Sequence, residues 1–392
     1  MECGNTQGGS HSAMSSSASE AFLRGVRQVV LDQGVARSRL AERVRSRLPD
    51  APVRLSDELE DGQLRSQGGS TLYLKEYKGR FLRFCPGTSQ YNCCGYRIVH
   101  IGENCPLRCS YCILQAYFQD RVLKVWANQD DLFEELDRAF SANPSRLFRL
   151  GTGEFTDSLA LEGITGYTAD LLGFLRNHEQ VCLELKTKTT DLSWMEAVGR
   201  AERVLPAWSL NAPQVVAREE EGTAPLEARL RAASECVARG FRVCLHFDPI
   251  LRFPGWRQGY AQAIELIFDY LRPRDIAYLS LGSFRCMPEL IGLIAASWPQ
   301  STYIYDELIS GRDKKLRLLR PLRIEQLRFV AEELRRRGLW EQLYLCMESD
   351  EVWKAVFGRR PRDFGGLPDH LLRLAFPDRS ESVAFLPKRC TP

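Results

Sequence analysis

Residues able to do redox chemistry are concentrated in one stretch, Gly102-Glu-Asn-Cys-Pro-Leu-Arg-Cys-Ser-Tyr-Cys-Ile-Leu-Gln-Ala-Tyr-Phe118. Cys105, Cys109 and Cys112 are spaced C-x3-C-x2-C, and Tyr111 stands just before the last of them. Three thiolates on a short loop ligate three irons of a cubane [4Fe–4S] cluster and leave the fourth iron without a protein ligand. An iron left open in this way can bind and activate a small molecule. Zinc is the competing occupant, but it takes a fourth ligand at finger-like spacing, and no His or Cys follows within roughly the next sixty residues.

Further polar groups recur at regular intervals after this loop. Gly151-Thr-Gly-Glu154 lets a ligand approach the backbone closely and offers a carboxylate to an ammonium group. In Glu184-Leu-Lys-Thr-Lys188, alternation along a strand puts 184, 186 and 188 on one face, where Lys186 or Lys188 can anchor a carboxylate. Ser209 and Asn211 close the next segment. His246 and Asp248 close the one after, with Asp248 placed to bind a ribose or a substrate and His246 balanced between that role and a buried core histidine.

The elements that must position these groups follow a strand–helix rhythm. Strands are expected at Ile98–Ile101, Arg146–Leu150, Val181–Leu185, Arg203–Leu210, Phe241–Phe247 and Ile276–Leu281. Helices are expected at 129–142, 164–178, 192–200, 225–239, 259–271 and 288–297. Six such units in series predict a parallel sheet with right-handed crossovers, curled into a partial (β/α)6 TIM-type barrel. Chemistry in such folds gathers at the C-terminal ends of the strands, and every group named above falls at one. Four segments follow: a Ser/Gly-rich disordered tail at 1–19, a small α/β lead-in at 20–96, the barrel at 97–300, and a C-terminal α/β extension at 301–392. Within the lead-in, strands are expected at 28–31, 52–55 and 71–77 and an amphipathic helix at 38–48. In the extension, a helix is expected at 321–337, a strand at 343–347, a further helix around Trp353–Phe357 and an irregular tail from Ala375.

With 392 residues and 44% hydrophobic content the chain can bury a large core. A net charge of +3 does not by itself announce a nucleic-acid partner. Two arginine-rich runs are local candidates for phosphate contacts: Arg37, Arg39, Arg43, Arg45 and Arg47, and then Arg312, Lys314, Lys315, Arg317, Arg320 and Arg323. Thirteen cysteines without a secretory leader point to a reduced, cytoplasmic setting. No stretch of about 18 apolar residues suggests a membrane span.

The three-cysteine loop with its aromatic resembles the signature of the radical S-adenosylmethionine (radical SAM) enzymes. The residues around it resemble one branch, the spore photoproduct lyase family. The resemblance is carried by Cys93-Cys-Gly-Tyr96, Cys112-Ile-Leu-Gln-Ala-Tyr117, Thr156-Asp-Ser158, Ser209-Leu-Asn211 with Glu221-Gly-Thr223, and Asp248-Pro-Ile250 with Gly255-Trp256 and Gly259-Tyr260. It runs over roughly residues 28–300.

This resemblance implies a [4Fe–4S] cluster on Cys105, Cys109 and Cys112, with S-adenosylmethionine bound by Tyr111, Gly151, Gly153, Glu154, Lys186, Ser209, Asn211 and Asp248. It implies reductive cleavage of the cofactor to a 5′-deoxyadenosyl radical, repair of methylene-bridged thymine dimers in DNA, and an external electron donor such as flavodoxin or ferredoxin. The family's hydrogen-donor cysteine is missing from Gly153-Glu-Phe-Thr-Asp-Ser158. A different donor is therefore implied, with Cys94 and Tyr96 foremost and Cys85 and Cys93 beside them. A radical SAM enzyme for another nucleotide or a peptide, and a non-catalytic iron–sulfur nucleic-acid-binding protein, are the alternatives.

Overall fold

The computed structural model describes residues 25–56, 70–88 and 90–379. The expected tail at 1–19, with Cys3 and His11, lies outside the described residues.

The sheet that carries the chemistry has eight strands. In spatial order they are Leu343–Leu345, Ile276–Ser283, Val243–Ile250, Val204–Ser209, Val181–Thr187, Phe148–Gly151, Arg97–Val99 and Leu82–Phe84. From Arg97–Val99 to Ile276–Ser283, each strand pairs in parallel with the next in sequence. These are the six expected strands, in the expected order. The sheet is open and curled: Leu82–Phe84 adds an antiparallel edge, and Leu343–Leu345 adds a seventh parallel strand beside Ile276–Ser283. The segment after 300 therefore completes the barrel sheet as well as extending it. The strands are almost wholly buried, as a parallel sheet covered on both faces requires.

A second sheet has the order Val53–Leu55, Gln28–Leu31, Thr71–Lys75, Leu123–Trp126 and Gly102–Glu103. Its first three strands are the expected lead-in. The other two come from either side of the cysteine loop, because Leu123–Trp126 runs parallel to Thr71–Lys75 and Gly102–Glu103 pairs back onto it. The loop is thus held at the seam between two sheets.

The first arginine run is divided: Arg37 and Arg39 are exposed, whereas Arg43, Arg45 and Arg47 are engaged within the protein. Helix Arg39–Arg47 is capped by the Ser38 side chain, which accepts from the Ala41 N–H. Its Arg43 makes two bonds to the Asp170 carboxylate, at 2.7 and 2.9 Å, and another to the Thr165 carbonyl. Arg47 reaches the Gly163 carbonyl and Arg45 the Ala36 carbonyl. Two of these arginines thus fasten the lead-in to the barrel.

Other local differences have clear causes. The helix expected at 164–178 is broken at Gly166, whose φ of 58° is left-handed. The Glu162 carboxylate then accepts from the N–H groups of Thr168 and Ala169 and caps the second piece, Tyr167–Leu175. The helix expected at 192–200 is only a 3-10 turn, Ser193–Ala197, because the fully buried Trp194 donates its indole N–H back to the Asp191 carbonyl. The tail expected from Ala375 is anchored through residue 379: Phe376 is fully buried, and Asp378 pairs with Arg203 at 2.7 Å. Among the described residues no helix is long and apolar enough to cross a membrane.

Candidate active site

A cavity of about 460 Å³ opens at the C-terminal ends of the barrel strands. It is lined by all three cysteines of the loop together with Tyr111, Gly153, Glu154, Lys186, Lys188, Ser209, His246 and Asp248. Residues spread over more than a hundred positions of sequence thus meet at one mouth.

The cysteine loop rises from Gly102–Glu103 and ends in the short helix Leu114–Tyr117. Asn104 turns the chain with a positive φ of 67° and uses its side-chain amide to hold the carbonyls of Asp120 and Val122. Burial pushes the thiols of Cys105, Cys109 and Cys112 up, so unassisted they stay protonated. A metal centre deprotonates coordinating thiols and supplies the missing positive charge. Among the described residues no three His, Cys, Asp or Glu side chains converge on a single ion. A cubane does not need that convergence, because each thiolate takes a different iron. The donor set fits a cluster with one open iron.

Across the mouth, Glu154 lies 3.6 Å from Lys186. Burial would lower the Lys186 pKa, but Glu154, Glu184 and Asp248 outweigh it and hold the ammonium charged. A Cβ on Gly153 would come within 2.9 Å of the Lys186 carbonyl, so glycine is what lets this turn lie against the neighbouring strand. Asp248 is held by Arg285 through two bonds of 3.0 Å. Burial pushes the Asp248 carboxyl up and Arg285 more than offsets it, leaving its pKa lowered.

Below these groups sits a buried network that forms the floor of the cavity. Glu184 lies 3.2 Å from His246 Nε2 and 3.6 Å from Arg149, and accepts a short bond from the Tyr278 hydroxyl. Burial acts to raise Glu184, and His246, Arg149 and Tyr278 together bring it down to about 2. His246 Nδ1 is 2.7 Å from Ser280 Oγ. His246 is thus buried and bonded to Ser280, and it also lines the cavity.

Two expected cofactor residues are placed elsewhere. Asn211 is not in the cavity wall. Its amide donates to the Pro249 carbonyl and its oxygen accepts from the Tyr260 hydroxyl, so its polar groups are spent bracing adjacent strand ends. Gly151 is likewise set back. A Cβ there would fall 1.5 Å from the Tyr96 hydroxyl oxygen, so the glycine makes room for that ring.

Of the expected hydrogen donors, Cys94, Tyr96 and Cys85 line the cavity, whereas Cys93 does not. The Tyr96 hydroxyl is buried and has no hydrogen-bond partner among the described residues. The Cys93 thiol bonded to Cys94, with help from Arg149, favours the Cys94 thiolate. Sequence reasoning missed Arg149, Arg285, Tyr344 and Cys346. Arg285 Nη2 lies 3.4 Å from Cys346 Sγ, and burial, then Asp248, pushes the Cys346 thiol up. The signal for Cys346 was its strand, which is apolar and ends in a cysteine, but nothing local says that this strand joins the barrel.

The second basic run is divided in the same way. Arg317 is buried against Asp313 at 2.6 Å and Arg323 against Glu348 at 2.8 Å, so neither is available to phosphate. Lys315 lines the cavity, and Arg312, Lys314 and Arg320 are exposed beside it in sequence.

An open parallel half-barrel with a three-cysteine loop at its mouth defines the class of protein. A family model described as spore photoproduct lyase matches residues 88–307, more than half of the chain. The chain belongs to the spore photoproduct lyase family. It is 22% identical over 183 residues to the spore photoproduct lyase of Geobacillus sp. (strain Y412MC61), covering 46% of this chain and 54% of that protein. It is 19% identical over 220 residues to that of Clostridium acetobutylicum, covering 56% and 64%. The matched stretch thus spans between half and two-thirds of these relatives. Among solved structures, a spore photoproduct lyase double mutant with bound AdoMet and dinucleoside spore photoproduct superposes with a TM-score of 0.72 at 16% identity, covering 83% of this chain and 99% of that one. Spore photoproduct lyase complexed with dinucleoside spore photoproduct gives 0.70 at 17%, covering 82% and 98%. These likenesses carry the fold.

Proposed function

We propose that this chain is a radical SAM lyase that cleaves S-adenosylmethionine reductively and repairs methylene-bridged thymine dimers in DNA. The observation that carries the reading is the convergence of the three-cysteine loop with Glu154, Lys186 and Asp248 on one cavity at the strand ends. Family membership and relatives that bind AdoMet and the dinucleoside photoproduct support it.

Cys105, Cys109 and Cys112 would hold the cluster. When bound, cluster and cofactor supply a carbon radical able to take hydrogen from an unactivated position. The protein's part is to bind, align and shield. The Glu154 carboxylate and Lys186 ammonium, 3.6 Å apart, complement the ammonium and carboxylate of an amino acid zwitterion and would receive the methionine end. Ser209 and Asp248 are the ribose-side contacts, with Arg285 keeping Asp248 in place. Tyr111 shields the loop.

Cys94, Tyr96 and Cys346 all line the cavity and are the hydrogen donors to test. Burial keeps Cys346 and Tyr96 protonated, whereas Cys93 and Arg149 favour the thiolate of Cys94, so the first two are preferred. Lys315 and the exposed Arg312, Lys314 and Arg320 would meet the DNA backbone, which makes binding salt-dependent. A flavodoxin or ferredoxin would supply the electron. The test is an anaerobic assay of the reconstituted, reduced protein on the dinucleoside photoproduct. Release of 5′-deoxyadenosine with formation of thymine supports the reading. Release without thymine rejects the repair reaction, and no release from an intact cluster rejects the enzyme.

A further inference from the structure

The cysteine loop is gripped from outside the cavity by two consecutive carboxylates. Strand Arg108–Cys109 pairs antiparallel with Glu220–Glu221, placing Glu220 opposite Cys109. The Ser110 N–H donates to the Glu219 carbonyl at 2.8 Å, and the Ser110 hydroxyl donates to the Glu219 carboxylate at 2.6 Å. The next hydroxyl along, Tyr111, donates a short bond to the Glu220 carboxylate. Both residues between the second and third cysteines are thus fixed by side chains of one neighbouring turn.

The second carboxylate also brings a charge. Glu220 is paired with Arg229 at 2.6 Å, and both side chains are fully buried. Arg229 is fixed in turn by the carbonyls of Ala224 and Ser209. On the cavity side of this assembly the Lys188 ammonium lies 5.7 Å from the centre of the Tyr111 ring.

We infer that Glu219 and Glu220 are positioning residues that fix the cysteine loop, and that the Glu220–Arg229 pair sets the reduction potential of the cluster held there. This rests on the cluster assignment made above. Iron–sulfur potentials respond to nearby charge, to hydrogen bonds and to exposure, and partners behind the ligands tune a metal site as the ligands do. In a water-excluded setting the field of one uncompensated charge is weakly screened. Removing the Glu220 charge leaves Arg229 uncompensated behind Cys109, favours the more negative, reduced cluster, and moves the potential up.

The experiment is a redox titration of the reconstituted full chain followed by electron paramagnetic resonance, comparing the parent with Glu220→Gln and Tyr111→Phe. Glu220→Gln keeps an acceptor for the Tyr111 hydroxyl and loses the charge. Its reduced-to-oxidised ratio at a fixed donor potential should rise at least about tenfold, which is about 59 mV for a one-electron couple. Tyr111→Phe loses a hydrogen bond and no charge, so it should release iron to a chelator faster with a much smaller change of potential. An intact cluster with the parental potential in Glu220→Gln overturns the inference. If that variant does not fold, Glu220→Asp carries the test. It keeps the charge and shortens the reach, so parental potential with faster iron loss supports the inference, and parental iron retention overturns it. A parent chain that takes up no cluster defeats the cluster assignment itself, a result separate from any of these.

Discussion

Two sets of cysteines line the same cavity, and they are built in opposite ways. Cys105, Cys109 and Cys112 sit on one loop, within eight residues of each other. Their charged neighbours include the carboxylates of Asp157 and Glu220, with the Lys188 ammonium near Cys109 and Cys112. Cys85 and Cys94 come from the stretch just before that loop and Cys346 from the far end of the chain, and Arg149 and Arg285 stand among them. The first set requires a metal centre to become thiolates. In the second, the cations are built into the protein, so protonation is decided residue by residue. The proposed function gives the first set the task of ligating and the second that of exchanging protons or hydrogen atoms.

The largest expected effect separates the two sets outright. Cys109→Ala should lose the cluster, with iron content at background and cofactor cleavage down more than the roughly 10–100-fold typical of losing a mere supporting partner. Cys346→Ala should keep its iron and its cofactor cleavage while losing most hydrogen return to product. Iron analysis and product quantitation check both, and iron loss in Cys346→Ala would merge the sets.

Next comes Arg149→Met, which strips one of the two cations from the second set. It removes one of the partners of the buried Glu184 carboxylate, with His246 and Tyr278 left in place, and should cost about 1.5–3 kcal/mol in denaturant unfolding. The removed guanidinium lies over the rings of Tyr96 and Tyr278 and donates to the Cys94 carbonyl, so the loop cysteines should still load iron.

Gly151→Ala is a smaller perturbation on the same side. The added methyl group meets the Tyr96 ring, and overpacking of this kind costs about 1–3 kcal/mol. Hydrogen return should fall more than cofactor cleavage, as measured by the ratio of thymine to 5′-deoxyadenosine.

The smallest effect is one of titration. The Cys93 bond favours the ionised form of Cys94, so Cys94 should alkylate already at neutral pH. Cys93→Ala should move the onset of that reaction to higher pH. Peptide mapping after iodoacetamide treatment at several pH values reads the shift, and an unmoved onset would show that Arg149 alone controls Cys94.

The same contrast explains what was legible in the sequence. The six-strand rhythm and the three-cysteine loop depend on local spacing, and both could be read. Glu154, Lys186, Ser209 and Asp248 followed because strand ends share one mouth. Asn211 and Gly151 stand at strand ends as expected but outside the cavity wall, because a strand-end position does not say whether a group faces the cavity or braces its neighbours. Arg43 and Arg47 could not be told from solvent-facing charges, since their partners lie more than a hundred residues away. Cys346 depends on a strand from the far end of the chain joining the sheet, and Arg285 on a short strand pairing with Leu316–Leu318; local patterning carries no trace of either pairing.

The proposed chemistry depends most on the loop leaving one iron open. The direct measurement is electron paramagnetic resonance of the reduced, reconstituted protein with and without S-adenosylmethionine. An open iron predicts a changed cluster signal when the cofactor binds. A signal identical in its presence and absence, with the cofactor shown to be bound, would contradict the central claim.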